Sequence, residues 1–391
     1  MLKLNKICLF SIIITLITFC SNLLGYIPGI SYLQYIIIFL FIFFISPLSK
    51  ISKTDYSFWI ITIYFLYIGL ISIFNHNYLR NLLYISKMIF SVYIIYSLSK
   101  IDLKSYLKGV YIIGAIMLCL NTISCFIRKD GILLSSTNYP VYILGTRNSM
   151  GAVIVYLIIM MLIYDEKFYN HIRRKTVYYI IIGSLAPIYL WSATTVVALI
   201  IISIYVGAEY NRFINKIVSS LYIWKSYLIG IIGFLLINVF RMQDYFSFII
   251  ESILKRNINF TARTYIWDVD FDLVLKNPLF GYGQYNKELL KTLYFQPENA
   301  HSLFFEILIV GGIIGFIIFS YLVLKASREA RKIEDKKVSK WINCYFFILM
   351  ITGVAESTNL NLGLYTMLTL INTIVNCQGN IFYKKYRYFR K

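Results

Sequence analysis

The chain has 391 residues, of which 59% are hydrophobic and only 14% charged, and its mean hydropathy is +0.69. These proportions exclude a soluble globular protein and describe an integral membrane protein. The formal charge of +20 would suit a nucleic-acid binder, but the basic residues are spread over seven segments beside apolar runs, where lipid headgroups account for them and nucleic acid is set aside.

Each crossing of a bilayer takes roughly twenty apolar residues. About twelve stretches qualify, at residues 7–24, 31–48, 57–74, 82–99, 107–127, 149–164, 177–191, 194–208, 226–240, 302–324, 342–355 and 362–378. The break between the seventh and eighth is weak, since it rests on "LWSATTVVAL" around Trp191. Lys3 and Lys6 before the first run resemble a signal sequence, but no small-x-small cleavage site follows, so this run is read as a retained span. The predicted fold class is therefore an all-α polytopic membrane protein with about 12 transmembrane helices. Short connections make residues 1–391 a single membrane-embedded domain.

Cytoplasmic loops retain Lys and Arg. An N-terminus inside puts 26 of the 38 basic residues on the cytoplasmic side, leaving 4 in short outer loops, 7 in one long loop and Lys87 within a span. Both termini are thus expected to be cytoplasmic. The long loop, residues 241–300 between helices 9 and 10, falls outside. All six cysteines lie in or beside apolar runs and read as small hydrophobes.

The long loop is where function is sought, because membrane insertion does not explain it. Its seven acidic residues balance its seven basic ones, so it is no general anion-attracting patch. Two stretches, "DYFSFIIESILKR" and "RTYIWDVDFDLVLKN", read as amphipathic helices. In the second, Trp267, Phe271, Val274 and Leu275 form an apolar stripe expected to rest on the membrane or the bundle. Asp268, Asp270 and Asp272 resemble the DxD of nucleotide-sugar enzymes. Alternate residues diverge on a helix, however, and a solvated polar face explains them better. "PLFGYGQY" follows as a turn region around Gly281 and Gly283.

His301 is the sharpest candidate, an imidazole at the mouth of the tenth span. It suits proton transfer or hydrogen bonding to a phosphate; an interfacial histidine without a catalytic part fits equally well. His76 and His171 read as solvated loop residues. Arg147, Arg241 and Arg263 stand at membrane boundaries, where a converging set would hold a diphosphate without a metal and a lone member would simply snorkel. Glu306 and Glu356 lie in or at the end of apolar runs and Lys87 within one; each is either functional or part of an internal ion pair. Glu306, five residues past His301, is placed to orient it or receive a proton. No His or Cys spacing suggests zinc. Gly311, Gly312 and Gly315 in "GGIIG" read as a close-packing motif between helices.

Taken together, Arg263, Trp267 four residues on, "NPLFGYGQY" and "AHSLFFEILIVGGIIGF" resemble the signature of the O-antigen polymerase and ligase superfamily, over about Arg263 to Phe316. Two departures stand out. Ser302 replaces the family's Asn after the histidine, and the arginine of a Ser-Arg pair is missing from "WSATTVV". The resemblance implies a metal-independent, cofactor-free inverting glycosyltransferase at the outer face of the bacterial inner membrane, acting on undecaprenyl-diphosphate-linked oligosaccharide. It implies catalytic roles for His301, Arg263 and Glu306, and diphosphate binding by Arg263 with Arg147 or Arg241. A chain-length regulator and a flippase are the candidate protein partners. Within the superfamily a polymerase is preferred and a ligase is the nearest rival. A lipid-linked oligosaccharide flippase or other transporter is the rival from another class, though it gives no reason for the outer loop.

Overall fold

A computed structural model describes residues 5–19, 30–45, 55–75, 79–135, 138–242, 263–284, 300–357 and 362–378, with 23 and 27. The first expected loop helix, the C-terminal tail, His76, Cys20 and the residues just before Ala300 lie outside the described residues.

Helices form wherever an apolar run must satisfy its own backbone in lipid. They are α1 (Lys6–Phe19), α2 (Ile30–Ile45), α3 (Tyr56–Phe74), α4 (Leu79–Ile101), α5 (Leu103–Ile127), α6 (Ser149–Tyr169), α7 (Arg174–Tyr189), α8 (Ala193–Gly207), α9 (Arg212–Ser220), α10 (Ile223–Phe234), α11 (Arg263–Lys276), α12 (Leu303–Ala330), α13 (Lys336–Thr352) and α14 (Leu362–Gln378). A helix occupies each of the twelve expected segments. Among the described residues five helices are individually long and apolar enough to cross a bilayer, six if the bent pair Arg212–Ser220 and Ile223–Val239 counts as one span. The protein is a helical, multi-pass membrane protein.

Three local features depart from the expected pattern. The weak break near Trp191 is a true turn, with Trp191 at φ +56°. Before α10 the chain bends by 80°, and α9 is a short amphipathic helix whose start is capped by Asn211 accepting from the backbone N–H of Phe213 and Ile214. The all-α expectation also misses a small antiparallel sheet, β1 (Leu133–Leu134), β2 (Pro140–Tyr142) and β3 (Gly145–Thr146), which pairs in chain order. Asn121 ties it to α5 by accepting from the Leu144 N–H at 2.9 Å.

α6 is the buried axis of the bundle, packed by α5, α8 and α13. α12 gathers α3, α10, α11 and α14 around itself, while α2 attaches chiefly through α4. Large apolar side chains such as Phe43, Leu70, Ile181 and Ile204 face outward, as lipid-facing surfaces must. At one end of the bundle buried acids meet basic partners. Arg173 and Thr176 bind Asp165 at 2.7 and 2.6 Å, Lys337 lies 3.3 Å from Glu166, and Lys100 lies 2.6 Å from Asp55. The connections after α6, α8 and α12, with their lysines and arginines, share this end. The α11 start, the α12 start and the residues after α13 share the other.

At that second end the chain does something the sequence reading did not foresee. Residues 277–284 enter the bundle as a non-helical segment and dock into a break in α12 at Gly312, whose backbone is non-helical (φ 60°, ψ −164°). The break releases the carbonyls of Ile309 and Val310 and the N–H groups of Ile313 and Ile314. The inserted segment takes all four: Tyr282 N donates to Ile309 O (2.7 Å), Gly283 N to Val310 O (2.9 Å), Ile313 N to Pro278 O (2.8 Å) and Ile314 N to Leu279 O (3.2 Å). Backbone polar groups in lipid must be paired, so neither the broken helix nor the inserted segment is tenable without the other. "GGIIG" is thus more than a helix-packing motif. Gly311 and Gly315 do face a neighbouring helix, through Tyr67 of α3, whose hydroxyl donates to Gly311 O at 2.8 Å, while Gly312 makes the break.

Candidate functional site

The insertion fixes the far end of α11 and therefore where its first residue, Arg263, can reach. The buried face of α11 carries Trp267, Asp270 and Leu273, and of the expected stripe Trp267 and Val274 pack against the bundle. Phe271 and Leu275 are exposed, because residues three apart, not four, turn toward α12. Asp268 and Asp272 are exposed as a solvated face requires, but Asp270 is buried. The three aspartates therefore do not act as one group.

Arg263 reaches the turn after α13. Its Nη1 donates to Ala355 O at 2.6 Å and its Nη2 to Glu356 Oε1 at 2.7 Å. His301 faces the same carboxylate, with Nδ1 3.9 Å from Glu356 Oε2. Thr194, at the start of α8, approaches Glu356 Oε1 at 3.5 Å. Burial raises the Glu356 carboxyl, but His301 and the Arg263 guanidinium outweigh it and hold the group below the usual carboxylate range. Glu356 is therefore an anion set between a permanent cation and a titratable imidazole.

The turn carrying Glu356 is itself gripped from three directions. Leu303 N at the start of α12 donates to Gly353 O at 2.7 Å. Asn238 Nδ2 donates to Val354 O at 3.1 Å, and Arg263 takes Ala355 O. Three successive carbonyls thus each accept from a different element. Asn238 belongs to a π-helical turn (Leu235–Val239) continuing α10, a wider turn of the kind often found at functional sites.

His301 has φ +46°, a left-handed conformation that costs a residue with a side chain about 1–2 kcal/mol. Trp267 Nε1 holds it there by donating to His301 O at 3.3 Å. Arg241, also left-handed at φ +53°, stacks 5.4 Å from the Trp267 ring. It donates to Thr264 O at 2.6 Å and pairs with Asp268. Arg241 is thus anchored to the first turn of α11 rather than merely snorkelling.

Of the five expected site residues, the fold joins Arg263 and His301 through Glu356 and brings Arg241 alongside through Trp267. Arg147 is exposed after β3, and no hydrogen bond or ion pair joins it to this group among the described residues. Glu306 is buried one turn into α12, within electrostatic reach of Tyr84 and Tyr365. Among the described residues the carboxylate in ion-pair range of His301 is Glu356. Asn238 and Thr194 escaped sequence reasoning, although a lone Asn in "LLINVF" is the kind of intramembrane polar residue that signals a role. His171 is exposed, with Nδ1 2.8 Å from Tyr169 O. Among the described residues no three His, Cys, Asp or Glu side chains converge as metal ligands.

Fold and site together define a multi-pass helical membrane protein with a charged, strained cluster at one end of its bundle. Residues 132–320, just under half of the chain, match the family model described as O-antigen ligase. The matched segment contains Arg147, Arg241, Arg263, His301 and Glu306; Glu356 lies beyond it. No curated protein matches the chain.

Proposed function

We propose that this protein is a polysaccharide polymerase of the bacterial inner membrane, building O-antigen or capsular chains. It would transfer a growing glycan from undecaprenyl diphosphate to a lipid-linked repeat unit at the outer face, in a chain that crosses the bilayer about twelve times with both ends inside. The observation that carries the reading is the Arg263–Glu356–His301 cluster, assembled from three elements at one end of the bundle.

In the reaction the bond from sugar C1 to the diphosphate oxygen breaks and a bond from C1 to the acceptor hydroxyl oxygen forms. The hydroxyl proton passes to His301, whose imidazole serves as general base. Glu356 supports the imidazolium that results, as a carboxylate facing a base does. The departing diphosphate keeps the bonding electrons. A guanidinium has five N–H groups and Arg263 uses two of them on Ala355 O and Glu356, so others remain to meet that charge. Attack opposite the leaving group inverts the anomeric centre, and neither a metal nor a nucleotide enters the scheme. Arg241 is the supporting cation in this scheme, with Arg147 as the alternative and Glu306 as a buried proton acceptor below His301.

The matched family's description favours a second reading, a ligase that moves finished polymer onto lipid A core. His301→Ala and Arg263→Ala, made separately in the native host at normal membrane levels, test both. Surface chains of one repeat indicate a polymerase. Intact lipid-linked polymer that never reaches the surface acceptor indicates a ligase. Full-length surface polymer from both variants would refute the site.

A further inference from the structure

A stair of polar side chains descends α4 from the candidate site into the bundle. Asn81 Nδ2 donates to Gln284 O of the inserted segment at 3.1 Å. One turn deeper, Tyr84 lies within electrostatic reach of both Glu306 and Tyr35. Below it, Lys87 Nζ donates to Gln34 Oε1 of α2 at 3.0 Å and stands 5.5 Å from the centre of the Tyr35 ring. Lys87 is about 9 Å below Asn81 along the helix.

Lys87 is unusual for its surroundings. An ammonium at this depth is costly and is normally met by a carboxylate. Among the described residues no carboxylate lies within ion-pair distance of Lys87. Its partners are a neutral amide and an aromatic face, which orient a cation without discharging it. Gln34 is buried while Lys87 is half-buried, and the flank of α2 beyond them presents Ile36, Phe39 and Phe43 outward. The ammonium is therefore held at a seam that opens toward lipid. Helix side chains lean toward the helix N-terminus, which carries Lys87 up toward the end where Arg263 and His301 lie.

We propose that Lys87 and Gln34 form a second anion seat, one that takes the phosphate headgroup of a membrane lipid entering between α2 and α4. Arg263 and Arg241 are both committed to one place by Glu356 and Asp268, so they serve one anion. Transfer between two lipid-anchored partners brings two phosphate headgroups. Resting on the transfer reaction proposed above, the seat holds the carrier lipid of the acceptor while its glycan reaches His301.

The test uses the full chain in detergent micelles, in an Arg263→Ala, Arg241→Ala background so that the first anion site does not contribute. Retention of undecaprenyl phosphate, phosphatidylglycerol and uncharged undecaprenol is measured by native mass spectrometry. The background protein is expected to hold undecaprenyl phosphate over undecaprenol. Adding Lys87→Gln should weaken phosphate-lipid retention roughly tenfold, as loss of one charge-assisted hydrogen bond implies, and Lys87→Arg should restore it. Loss for the carrier lipid alone marks a carrier seat; equal loss for phosphatidylglycerol marks a seat for phosphate headgroups in general. Gln34→Leu leaves the charge in place and should lower retention severalfold at an unchanged unfolding temperature. Unaltered phosphate preference after Lys87→Gln overturns the seat. Because no turnover is read, that failure is separate from any failure of the transfer reaction.

Discussion

Gly312→Ala should unfold this protein far more readily than Gly311→Ala, although the two residues are adjacent in the same helix. At Gly312 the backbone sits at φ 60°, ψ −164°, a region essentially reserved for glycine, and an alanine there costs about 1–3 kcal/mol. A Cβ would also strike the carbonyl of Leu279 and the N–H of Phe280. Those atoms cannot retreat without loosening the Ile313–Pro278 and Ile314–Leu279 hydrogen bonds, each contributing about 1 kcal/mol and more when the freed groups stay buried. The total is about 3–6 kcal/mol. At Gly311 a Cβ would meet only Tyr67 Cε1 at 3.6 Å, an ordinary contact in a helical conformation, so the change should stay within about 1 kcal/mol. Tryptophan fluorescence during thermal or detergent-induced unfolding separates the two variants. Equal unfolding midpoints would refute the bracket between the inserted segment and α12.

Two further outcomes concern the turn after α13. Glu356 has its folded-state pKa held below its ordinary value of 4.5, so its stabilising contribution is complete above that value and is lost as pH falls through the lower folded one. The difference in unfolding temperature between wild type and Glu356→Gln should therefore be constant near neutrality and shrink only in acid; a difference that grows on acidification would contradict the Arg263–Glu356 pairing. Asn238→Leu strands the buried Val354 carbonyl, which costs about 1–3 kcal/mol and releases the turn carrying Glu356. Turnover should fall with little change in donor affinity, and separate kcat and KM measurements show whether Asn238 positions the turn or binds the donor.

Much of this architecture was legible without coordinates. Apolar runs in lipid have one solution, the helix, and each run became one. His301 and Arg263 were legible because a polar residue at the mouth of a span must be explained. The small sheet was not, because its strands of two or three residues leave no periodicity to read. On α11 Trp267 and Val274 meet the bundle while Phe271 and Leu275 face outward, a division that apolar character alone does not reveal, because either side suits an apolar residue. Glu306 was favoured over Glu356 for its nearness in sequence to His301, and nearness along a helix did not decide which carboxylate turned toward the imidazole.

The sequence by itself located the apolar helices and singled out Arg263 and His301 as candidates, because hydropathy and charge act locally. Only tertiary structure decided what completes the cluster. Glu356 follows Arg263 by 93 residues and Asn238 meets Val354 across 116. These contacts exist because backbone groups exposed by a break, a π-turn and a turn after α13 had to find partners in a medium that offers none.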